Sequence, residues 1–520
     1  MDLEDVRTIA VLGAGNMGHG IAEVAALAGY DVRLRDINEE LVHSGYETIE
    51  WSLDKLVEKD RLTAAEAEAT RERIDPVVDV EAAVDEADVI VEAVPEVLDI
   101  KREVFDEVAE HAPEQAIFTT NTSSLSITEL SEATDRPGRF CGMHFFNPPV
   151  RMELVEVIAG EHTGVETLEL VEDLAESMDK TPVRVHKDSP GFIVNRVLIP
   201  LLNEAAWIVE EETATIAEVD ATTKFDMGLP MGAFELADQV GIDVSYHVLE
   251  YMHETLGEAY RPCPLLEAKV DAEALGRKTG QGFYDYDDGG ADIPPDAGRD
   301  DVADRLLALL ANEVAGLIAE EVADAAAIDR AMQLGAGFPD GPAKMADDRG
   351  LESLVDTLDD RYEATDEPRY EAVGLLQELA ADDGTFHGDT GDDASAGGSG
   401  SGDATTFETI RVDREGSVGR LTLDRPHRMN TVSVEMLDEL AVAIDQLDSD
   451  DAVRCLLVTG AGDRAFCAGA DVGSMASGAD PLEGVDLSRK GQETFGKLEA
   501  CETPVVAGVD GYCLGGGMEL

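Results

Sequence analysis

The sequence predicts an α/β fold: a doubly wound parallel sheet, then a duplicated pair of all-helical domains, then a shorter, separate α/β domain. Three observations predict it. An apolar strand at 7–13 leads into a glycine-rich turn and a helix. Segments 203–241 and 312–350 are similar at a constant offset of 109 positions. A new pattern of strands begins near Phe407, after a stretch rich in Gly, Ser and Asp.

The first region alternates strands and helices. RTIAVLG (7–13) is β-branched and apolar, and DVRLRD (31–36) alternates apolar with polar residues, as strands do. The runs ADVIVEAV (87–94) and QAIFTT (115–120) indicate further buried strands. Helical segments lie between them, as a Rossmann-type doubly wound fold requires.

From about residue 188 the pattern is helical and contains the internal repeat. Similarity at a fixed offset indicates duplicated units, and we expect the second copy to pack against the first and cap its cleft. The matched positions are Asn203/Asn312, Asp220/Asp329, Gly228/Gly337, Pro230/Pro339, Gly232/Gly341, Asp238/Asp347 and Gly241/Gly350.

These patterns divide the chain into five parts. A stretch of Gly, Ser and Asp offers little that could form a core, so it predicts a flexible, charged linker. In the last part we expect strands at TIRV, GRLTL, CLLVTG and PVVAGV and a helix at 433–447. The predicted parts are the sheet domain 1–187, the helical domain 188–290, its repeat 291–381, the linker 382–405 and the second α/β domain 406–520.

The chain is strongly acidic: its 520 residues include 111 Asp and Glu against 39 Lys and Arg, for a net charge of −72. Such a surface repels nucleic acids and anionic membranes, so we expect neither as a partner. High net charge fits disorder, but it also fits a globular protein in molar salt, where a Debye length of about 3 Å mutes self-repulsion. Because the acids are spread among regular apolar periods, we favour the second, halophilic and haloarchaeal-like interpretation.

Targeting and cysteine patterns point to a cytoplasmic protein. We see no signal peptide and no apolar run of the ~18 residues that a membrane span needs. The six cysteines show no CxxC and no metal-ligand spacing, so we expect reduced thiols and no metal.

Gly13, Gly15 and Gly18 form a GxGxxG motif between the first strand and the first helix. The glycines permit a tight turn and bring a pyrophosphate close to the helix N-terminus. Asp36 ends the second strand; it should accept hydrogen bonds from ribose hydroxyls and repel a 2′-phosphate, which favours NAD over NADP. The neighbouring arginines 33 and 35 leave NADP open.

His144 and Glu156 lie close in sequence, within RFCGMHFFNPPVRMELVEVI (139–158). A neutral imidazole, with an unperturbed pKa of about 6.5, can remove a proton from an alcohol. A carboxylate beside it can orient the ring and stabilise the imidazolium that forms. Together with the glycine turn, the pair indicates proton removal from a hydroxyl coupled to hydride transfer.

The motifs of this region also carry a family resemblance. Over about residues 5–290 the chain resembles the L-3-hydroxyacyl-CoA dehydrogenases of fatty-acid β-oxidation, and the repeat to about 380 resembles the duplicated C-terminal unit of longer members. The motifs are, in order, GAGNMG, VEAVPE, NTSSL, HFFNPP, LVEVI, DSPGFIVNRV, GLPMGAFELAD and GRKTGQGFYDY.

The resemblance implies NAD-dependent oxidation of (S)-3-hydroxyacyl-CoA to 3-oxoacyl-CoA. His144 would be the general base and Glu156 would hold and polarise it. Ser123 and Asn195 would contact the substrate oxygen and the nicotinamide region. Further positions implied by the resemblance are Glu96, Lys101, Asn147 and Lys278 for NAD and, more loosely, Ser52 and Lys59 for CoA. Related enzymes are commonly dimers, so we expect a homodimer acting on acyl-CoA thioesters.

From residue 406 the chain resembles the crotonase superfamily, in particular enoyl-CoA hydratase. The residues are RLTLDRPHRMNTVS (420–433), FCAGADV (466–472) and GVDGYCLGGGMEL (508–520). The resemblance implies an oxyanion hole from the amides of Ala470 and Gly516, with Glu519 as one of two catalytic glutamates. The second glutamate would lie beyond residue 520, and the four residues after Gly516 are too few to predict a stable helix. We therefore expect this polypeptide to lack hydratase activity.

Two other interpretations of the dehydrogenase region stay open. One is a 3-hydroxybutyryl-CoA dehydrogenase restricted to short chains. The other is a non-catalytic, dehydrogenase-like binding protein, against which the set His144, Glu156, Ser123 and Asn195 argues.

Overall fold

The computed structural model contains two compact units, Met1–Gly391 and Asp392–Leu520. The predicted sheet and helical repeats lie in the first unit and the second α/β pattern lies in the other, so the predicted fold class is confirmed. The structure describes residues 1–59, 61–286, 289–382, 384–388, 407, 409–415, 418–425, 428–449, 453–461, 465–469, 490–491, 494–498, 501, 503–509 and 512–520. No helix in these ranges combines the length and apolar character of a membrane span.

One eight-stranded sheet organises the first unit. Its strands are β1 (Thr8–Leu12), β2 (Asp31–Arg35), β3 (Ile74–Val77), β4 (Val89–Glu92), β5 (Ile117–Thr120), β6 (Phe140–Phe145), β7 (Leu154–Ile158) and β8 (Thr181–Val185). They lie in the order β3-β2-β1-β4-β5-β6-β7-β8. Neighbours are parallel except β6 and β7, which pair antiparallel. The predicted parallel sheet therefore has one antiparallel junction, formed where the chain turns back after β6.

Helices cover both faces of this sheet. They are α1 (Gly18–Leu27), α2 (Glu39–Glu58), α3 (Ala64–Glu72), α4 (Val80–Val84), α5 (Leu98–His111), α6 (Ile127–Ser131) and α7 (Val165–Ser177). Successive strand residues point to opposite faces, so Ile9 and Val11 enter one apolar core while Ala10 and Leu12 enter the other. Two apolar faces explain why β1 is a nearly continuous apolar run, whereas β2 alternates buried with more exposed residues.

The helical part contains two copies of one arrangement. The first copy contains α8 (Val194–Glu210), α9 (Ile216–Ala221), α10 (Ala233–Val240), α11 (Ile242–Leu256) and α12 (Pro264–Asp271), with a π-helical turn at Thr222–Asp226. The second contains α13 (Asp300–Ala319), α14 (Ala325–Ala336), α15 (Pro342–Arg349), α16 (Leu351–Thr365) and α17 (Gly374–Ala381). Short 3₁₀ turns lie at Leu3–Asp5, Pro137–Arg139, Glu258–Tyr260, Arg277–Thr279 and Pro368–Tyr370.

Matched residues make the same hydrogen bonds in both copies. Asn203 donates to the carbonyl of Arg261 at 3.0 Å, and Asn312 donates to that of Glu371 at 3.1 Å. Asp220 accepts from the amide of Phe234 at 2.7 Å, and Asp329 accepts from that of Ala343 at 2.7 Å. The sequence repeat is therefore a repeat of buried polar contacts, which fixes Asn and Asp at these positions.

The two copies also pack against each other reciprocally. A Cβ atom on Gly228 would lie 3.2 Å from Pro339, and one on Gly337 would lie 3.0 Å from Pro230. Gly228 and Gly337 both have positive φ angles, +74° and +71°, which favour glycine. Reciprocal contacts, in which each copy's glycine meets the other copy's proline, are typical of a two-fold symmetric interface, and here they form within one chain.

The second copy extends into the predicted linker. Asp347 accepts from the amide of Phe386 at 2.8 Å, as Asp238 accepts from the amide of Phe283 at 2.8 Å in the first copy. The His387 Nδ1 also lies 2.8 Å from Asp347. The linker predicted from residue 382 is thus bound to the second copy at 384–388, and residues 389–405 lie outside the described ranges.

The second unit has a four-stranded and a two-stranded sheet. Its elements are β9 (Ile410–Glu415), β10 (Val418–Leu423), α18 (Val434–Ser449), β11 (Cys455–Gly460), β12 (Ala465–Cys467), β13 (Val505–Gly508), β14 (Tyr512–Cys513) and α19 (Gly516–Glu519). The strands lie in the orders β13-β11-β10-β9 and β12-β14. The strands and helix predicted here are present. The expectation of no helix after Gly516 was wrong, because a single turn forms there.

Candidate active site

His144 and Glu156 lie side by side on adjacent strands. The antiparallel register of β6 and β7 places them directly opposite each other, so their side chains share one face of the sheet. The imidazole Nδ1 lies 2.7 Å from Glu156 Oε2. Because a carboxylate only accepts hydrogen bonds, Nδ1–H is the donor and Nε2 keeps its lone pair. Nε2 is then the nitrogen that can take a proton.

The start of α8 fixes Glu156 from its other side. Glu156 Oε1 accepts from the backbone N–H of Ile193 at 3.1 Å and of Val194 at 3.0 Å. Glu156 is 0% exposed and His144 is 6% exposed. Amides at a helix N-terminus favour a negative charge. The carboxylate is therefore placed to stabilise an imidazolium on His144.

Two phenylalanines enclose the imidazole. The ring centroids of Phe146 and Phe192 lie 4.5 Å and 5.9 Å from that of His144. Phe192 has a φ of +53°, a conformation that strains a bulky residue. It ends a tight turn closed by its amide donating to the carbonyl of Ser189 at 2.9 Å. This turn delivers the next two amides to Glu156, which gives the strain a structural reason.

Ser123, Asn195 and Glu96 form one hydrogen-bonded group, and Asn195 directly follows Val194, whose amide binds Glu156. Asn195, in the first turn of α8, donates from Nδ2 to the carbonyl of Ser123 at 3.1 Å. Glu96 Oε1 accepts from the amide of Ser123 at 2.8 Å and from its hydroxyl at 3.2 Å. Burial opposes ionisation of Glu96, but Lys101 and hydrogen bonds from Thr122 and Ser123 hold the pKa of Glu96 below its usual range.

Lys101 is buried beneath this group. Its ammonium donates to Glu92 at 2.7 Å and to the carbonyl of Val94 at 3.3 Å, and it lies 3.2 Å from Glu96. Lys101 is 1% exposed. Lys101 is therefore placed to support the loop that carries Val94 and Glu96, and not to contact NAD directly as the sequence led us to expect.

Glu92 is a residue that the sequence reasoning missed. It ends β4, fully buried, and its Oε2 accepts from the Thr120 hydroxyl at 2.6 Å while its Oε1 binds Lys101. Burial raises the pKa of Glu92, although Lys101 opposes the shift. A charged residue at the carboxyl end of a central buried strand is the signal that could have identified it.

The glycine turn fits a dinucleotide. A Cβ on Gly18 would lie 1.7 Å from the carbonyl oxygen of Gly13, so the turn itself requires glycine there. Gly13, at φ +102°, likewise abuts Ala93. At Gly15, by contrast, no described atom lies within 4 Å of the Cβ position. That open face, at the start of α1, is the side on which a pyrophosphate fits.

Asp36 is fixed beside the turn. Its Oδ2 accepts from the amide of Ala14 at 2.7 Å and its Oδ1 from that of Ile37 at 2.7 Å. Of the two arginines that left NADP open, Arg33 donates to Asp75 at 2.8 Å and Arg35 to the carbonyl of Val78 at 3.1 Å. Both guanidinium groups are therefore engaged by their own chain, whereas the carboxylate borders the turn, as NAD requires.

Asn147 and Lys278 are placed differently. Asn147 is exposed at the start of the loop after β6, three residues beyond His144. Lys278 lies in the turn Arg277–Thr279 and pairs with Asp243. Within the described ranges, no contact of Lys278 joins it to the group around His144.

The two loosely predicted CoA positions both lie in or directly after α2. Ser52 donates to the buried Glu23 on α1 at 2.7 Å. Burial raises the pKa of Glu23 to about 7, with the Ser52 hydrogen bond opposing the shift. Lys59 is exposed at the C-terminus of the helix. Of the two, Lys59 is better placed to meet a phosphate group.

In the second unit, the two predicted oxyanion turns meet. β12 and β14 are parallel neighbours, and the amide of Leu514 donates to the carbonyl of Cys467 at 3.0 Å. A Cβ on Gly515 would lie 3.6 Å from the Cα of Gly469. Gly516 begins α19, whereas Ala470 and the side chain of Glu519 lie outside the described residues.

Comparison with protein families assigns each region. Residues 8–189 match "3-hydroxyacyl-CoA dehydrogenase, NAD binding domain", and residues 191–286 and 302–394 each match "3-hydroxyacyl-CoA dehydrogenase, C-terminal domain". Residues 413–520 match "Enoyl-CoA hydratase/isomerase". The second helical match supports the duplication.

Individual dehydrogenases of this family are similar to the first part of the chain. A probable 3-hydroxybutyryl-CoA dehydrogenase of Bacillus subtilis is 44% identical over 55% of this chain and 99% of its own length. The mitochondrial hydroxyacyl-coenzyme A dehydrogenase of Sus scrofa is 40% identical over 54% of this chain and 91% of its own. The crystal structure of 3-hydroxybutyryl-CoA dehydrogenase from Escherichia coli K12 superposes with a TM-score of 0.69 at 30% identity, covering 73% of this chain and 99% of that one.

Proposed function

This chain belongs to the 3-hydroxyacyl-CoA dehydrogenase family, and we propose that it oxidises (S)-3-hydroxyacyl-CoA to 3-oxoacyl-CoA with NAD in fatty-acid β-oxidation. The observation that carries the proposal is the buried His144–Glu156 contact at 2.7 Å. It lies on the same sheet as a glycine turn whose open face fits a dinucleotide.

The residues divide the chemistry among them. His144 Nε2 takes the proton of the C3 hydroxyl as the C3–H bond breaks and the C3=O bond forms. When bound, NAD supplies the acceptor for the hydride. Glu156 stabilises the imidazolium, and Ser123 and Asn195 are the nearby polar groups for the substrate oxygen. The proton then leaves His144 to solvent, which restores the base.

The test is NADH formation by the purified chain in molar KCl. We expect turnover with (S)-3-hydroxybutyryl-CoA and NAD, and little with the R enantiomer or with NADP, because Asp36 repels a 2′-phosphate. Equal rates with both enantiomers, or none with either, would overturn the proposal.

A second candidate is a dehydrogenase restricted to short chains. It is favoured by the relatives of Bacillus subtilis, at 44% identity, and Bradyrhizobium diazoefficiens, at 42%, which are described as 3-hydroxybutyryl-CoA dehydrogenases. A series of substrates of rising acyl length separates the two: kcat/KM that falls steeply beyond four carbons supports the short-chain enzyme.

The non-catalytic alternative predicts NAD binding without turnover. The oriented imidazole argues against it, since a binding protein has no need of a base beside a buried carboxylate. The same NADH assay decides, with calorimetric titration of NAD as the accompanying measurement.

The expected homodimer, the cytoplasmic location and the halophilic character stay predictions. The reciprocal contacts of the two helical copies already occupy those surfaces within one chain, so a dimer would use another surface. Light scattering in molar KCl measures the assembly directly, against a chain mass of 55.6 kDa.

The absence of hydratase activity from the 520-residue polypeptide also stays a prediction. It concerns this chain as given, in which Glu519 matches one of the two glutamates of the resembled family. Hydration of crotonyl-CoA well above the background rate would contradict it.

A further inference from the structure

Arg196 connects the catalytic helix to the second helical copy. It follows Asn195 directly, in the first turn of α8, and it is 3% exposed. Its guanidinium lies 3.2 Å from Glu313 and donates to Glu320 at 3.1 Å, and both glutamates belong to the second copy. A buried arginine of the first copy is thus neutralised by the second.

The same guanidinium also binds the turn that serves Glu156. Arg196 Nη1 donates to the hydroxyl of Ser189 at 3.2 Å, and Ser189 starts the tight turn that ends at Phe192. The two amides that follow this turn are those that donate to Glu156. Glu320 therefore binds Arg196, Arg196 binds Ser189, and the turn that Ser189 begins leads directly into the two amides that bind Glu156.

The chain contains a counterpart of this arrangement without a catalytic site. Arg305 lies at the repeat offset from Arg196, and it binds Glu204 and Glu211, which are the offset partners of Glu313 and Glu320. Each copy's arginine therefore binds the other copy's glutamates. The second copy has no equivalent of the His144–Glu156 pair in sequence. Arg305 is consequently an internal control for the packing role of such an arginine.

The second copy also contacts the aromatic and apolar residues behind the site. A Cβ on Gly335, in α14, would lie 2.8 Å from Leu154, 3.0 Å from Val194 and 3.5 Å from Phe146. Leu154 begins the strand of Glu156, and Phe146 contacts the His144 ring. The close approach of α14 requires glycine at this position.

We propose that Arg196 is a positioning residue of the dehydrogenase reaction, through which Glu313 and Glu320 of the second helical copy fix the turn 189–192 and hence Glu156 and His144. The inference rests on the proposed function. It gives the duplicated copy, which has no catalytic pair of its own, a part in catalysis at the first.

The test compares Arg196→Lys with Arg305→Lys in the full chain. A lysine has one charged nitrogen and cannot bind Ser189, Glu313 and Glu320 in the geometry of the guanidinium fork. Both variants keep the positive charge but can bind fewer of the buried partners, so both should unfold at lower temperature. Arg196→Lys alone should lower kcat, by about tenfold or more, because small misplacements of a catalytic group cost that much. KM for NAD should stay within about twofold, since the glycine turn is not touched.

A kinetic isotope effect separates positioning from loss of folded protein. With substrate deuterated at C3, a misplaced base slows the chemical step, so the isotope effect on kcat should be larger in Arg196→Lys than in wild type. A smaller fraction of folded enzyme would lower kcat and leave the isotope effect unchanged. An unchanged isotope effect, or equal loss of kcat in Arg196→Lys and Arg305→Lys, would overturn the proposal.

Milder variants keep the test available if Arg196→Lys does not fold. Ser189→Ala removes the hydrogen bond from Arg196 to Ser189, whereas Glu320→Gln keeps an acceptor for Arg196 but removes the negative charge from a partly exposed side chain. Both should change kcat and the isotope effect in the same direction by a smaller factor; no change in either variant refutes the inference. A wild-type chain without NAD-linked turnover would instead refute the proposed function.

Discussion

Glu156→Gln is the substitution whose effect the structure specifies most closely. Glutamine has nearly the shape of glutamate but replaces one oxygen by an NH₂ group. Oε1 of Glu156 accepts from the amides of Ile193 and Val194, whereas Oε2 accepts from His144 Nδ1–H. The new NH₂ group must face one of these two sides.

The two backbone amides decide the orientation. Turning NH₂ toward Ile193 and Val194 would leave two buried donors without an acceptor, at about 1–3 kcal/mol each. The amide oxygen therefore stays with them and NH₂ faces His144. Nδ1 must then accept, so the ring proton moves to Nε2, and the nitrogen that should take the substrate proton no longer has a free lone pair.

The expected loss is that of general-base catalysis. Such a base contributes about 10²–10⁴-fold, so kcat should fall by this factor, equivalent to about 3–5 kcal/mol of transition-state stabilisation. KM for both substrates should change little, because Glu156 is fully buried. The free energy of unfolding should fall by only about 1–2 kcal/mol, since the contacts keep their geometry and lose only the charge.

The assay is steady-state NADH formation, paired with thermal unfolding. Glu153→Gln is the matched control, because it makes the same chemical change at an exposed position one residue before β7. It should leave kcat within about twofold of wild type, as surface substitutions do. Wild-type kcat in Glu156→Gln would refute the tautomer argument, and a parallel loss in the control would show that the effect is not specific to the pair.

Three further outcomes are expected. Gly15→Val should fold normally but lose NAD binding in calorimetric titration, because its side chain fills the open face of the turn. Gly18→Ala should instead unfold at lower temperature, because its Cβ would lie 1.7 Å from a carbonyl oxygen. Retained NAD affinity in Gly15→Val would contradict the first expectation. Burial raises the pKa of Glu23 from 4.5 to about 7. The wild-type free energy of unfolding should therefore fall by up to about 3 kcal/mol as pH rises from about 4.5 to above 7. Denaturant titrations should show Glu23→Gln equal to wild type near about pH 4 and more stable than wild type above about pH 8. An equal pH dependence in both would refute the raised pKa. With a net charge of −72, the unfolding temperature should rise steeply with KCl as the Debye length falls from about 10 to 3 Å, and a salt-independent midpoint would contradict the halophilic prediction.

Local patterns predicted the parts of the fold that depend on neighbours in sequence. β1, β2, β4 and β5 coincide with the four segments predicted as strands. Three of these segments are apolar runs, as strands buried on both faces are, and DVRLRD alternates apolar with polar residues. The glycine turn was also predictable, because a side chain at Gly18 would collide with Gly13 in the same turn and a side chain at Gly13 would collide with Ala93, which follows β4.

His144 and Glu156 were predicted as a pair of residues, but their relative geometry was not predicted. Neither β6 nor β7 was predicted, and the opposition of His144 and Glu156 depends on an antiparallel register that the sequence does not display. Lys101 was expected at the cofactor, but its burial depends on Glu92, whose position at the end of β4 becomes meaningful only once the sheet is assembled.

Composition misled at the end of the helical repeat. Residues 382–405 are rich in Gly and Asp, and this hid Phe386 and His387, whose partner Asp347 lies far away in the sequence. The repeat offset identified Asp347 as the counterpart of Asp238. The sequence could not show that Arg196 binds Glu313 of the second copy and Arg305 binds Glu204 of the first, because these ion pairs depend on how the two copies pack.

We propose above that His144 accepts the hydroxyl proton as NAD accepts the hydride. The most direct test of this proposal is a single-turnover measurement of NADH formation from (S)-3-hydroxybutyryl-CoA by wild type and His144→Ala in molar KCl, with NADH affinity titrated in parallel. For His144→Ala we expect NADH affinity equal to wild type and a rate reduced by at least about 10²-fold. A variant that binds NADH and forms it at the wild-type rate would show that His144 is not the base.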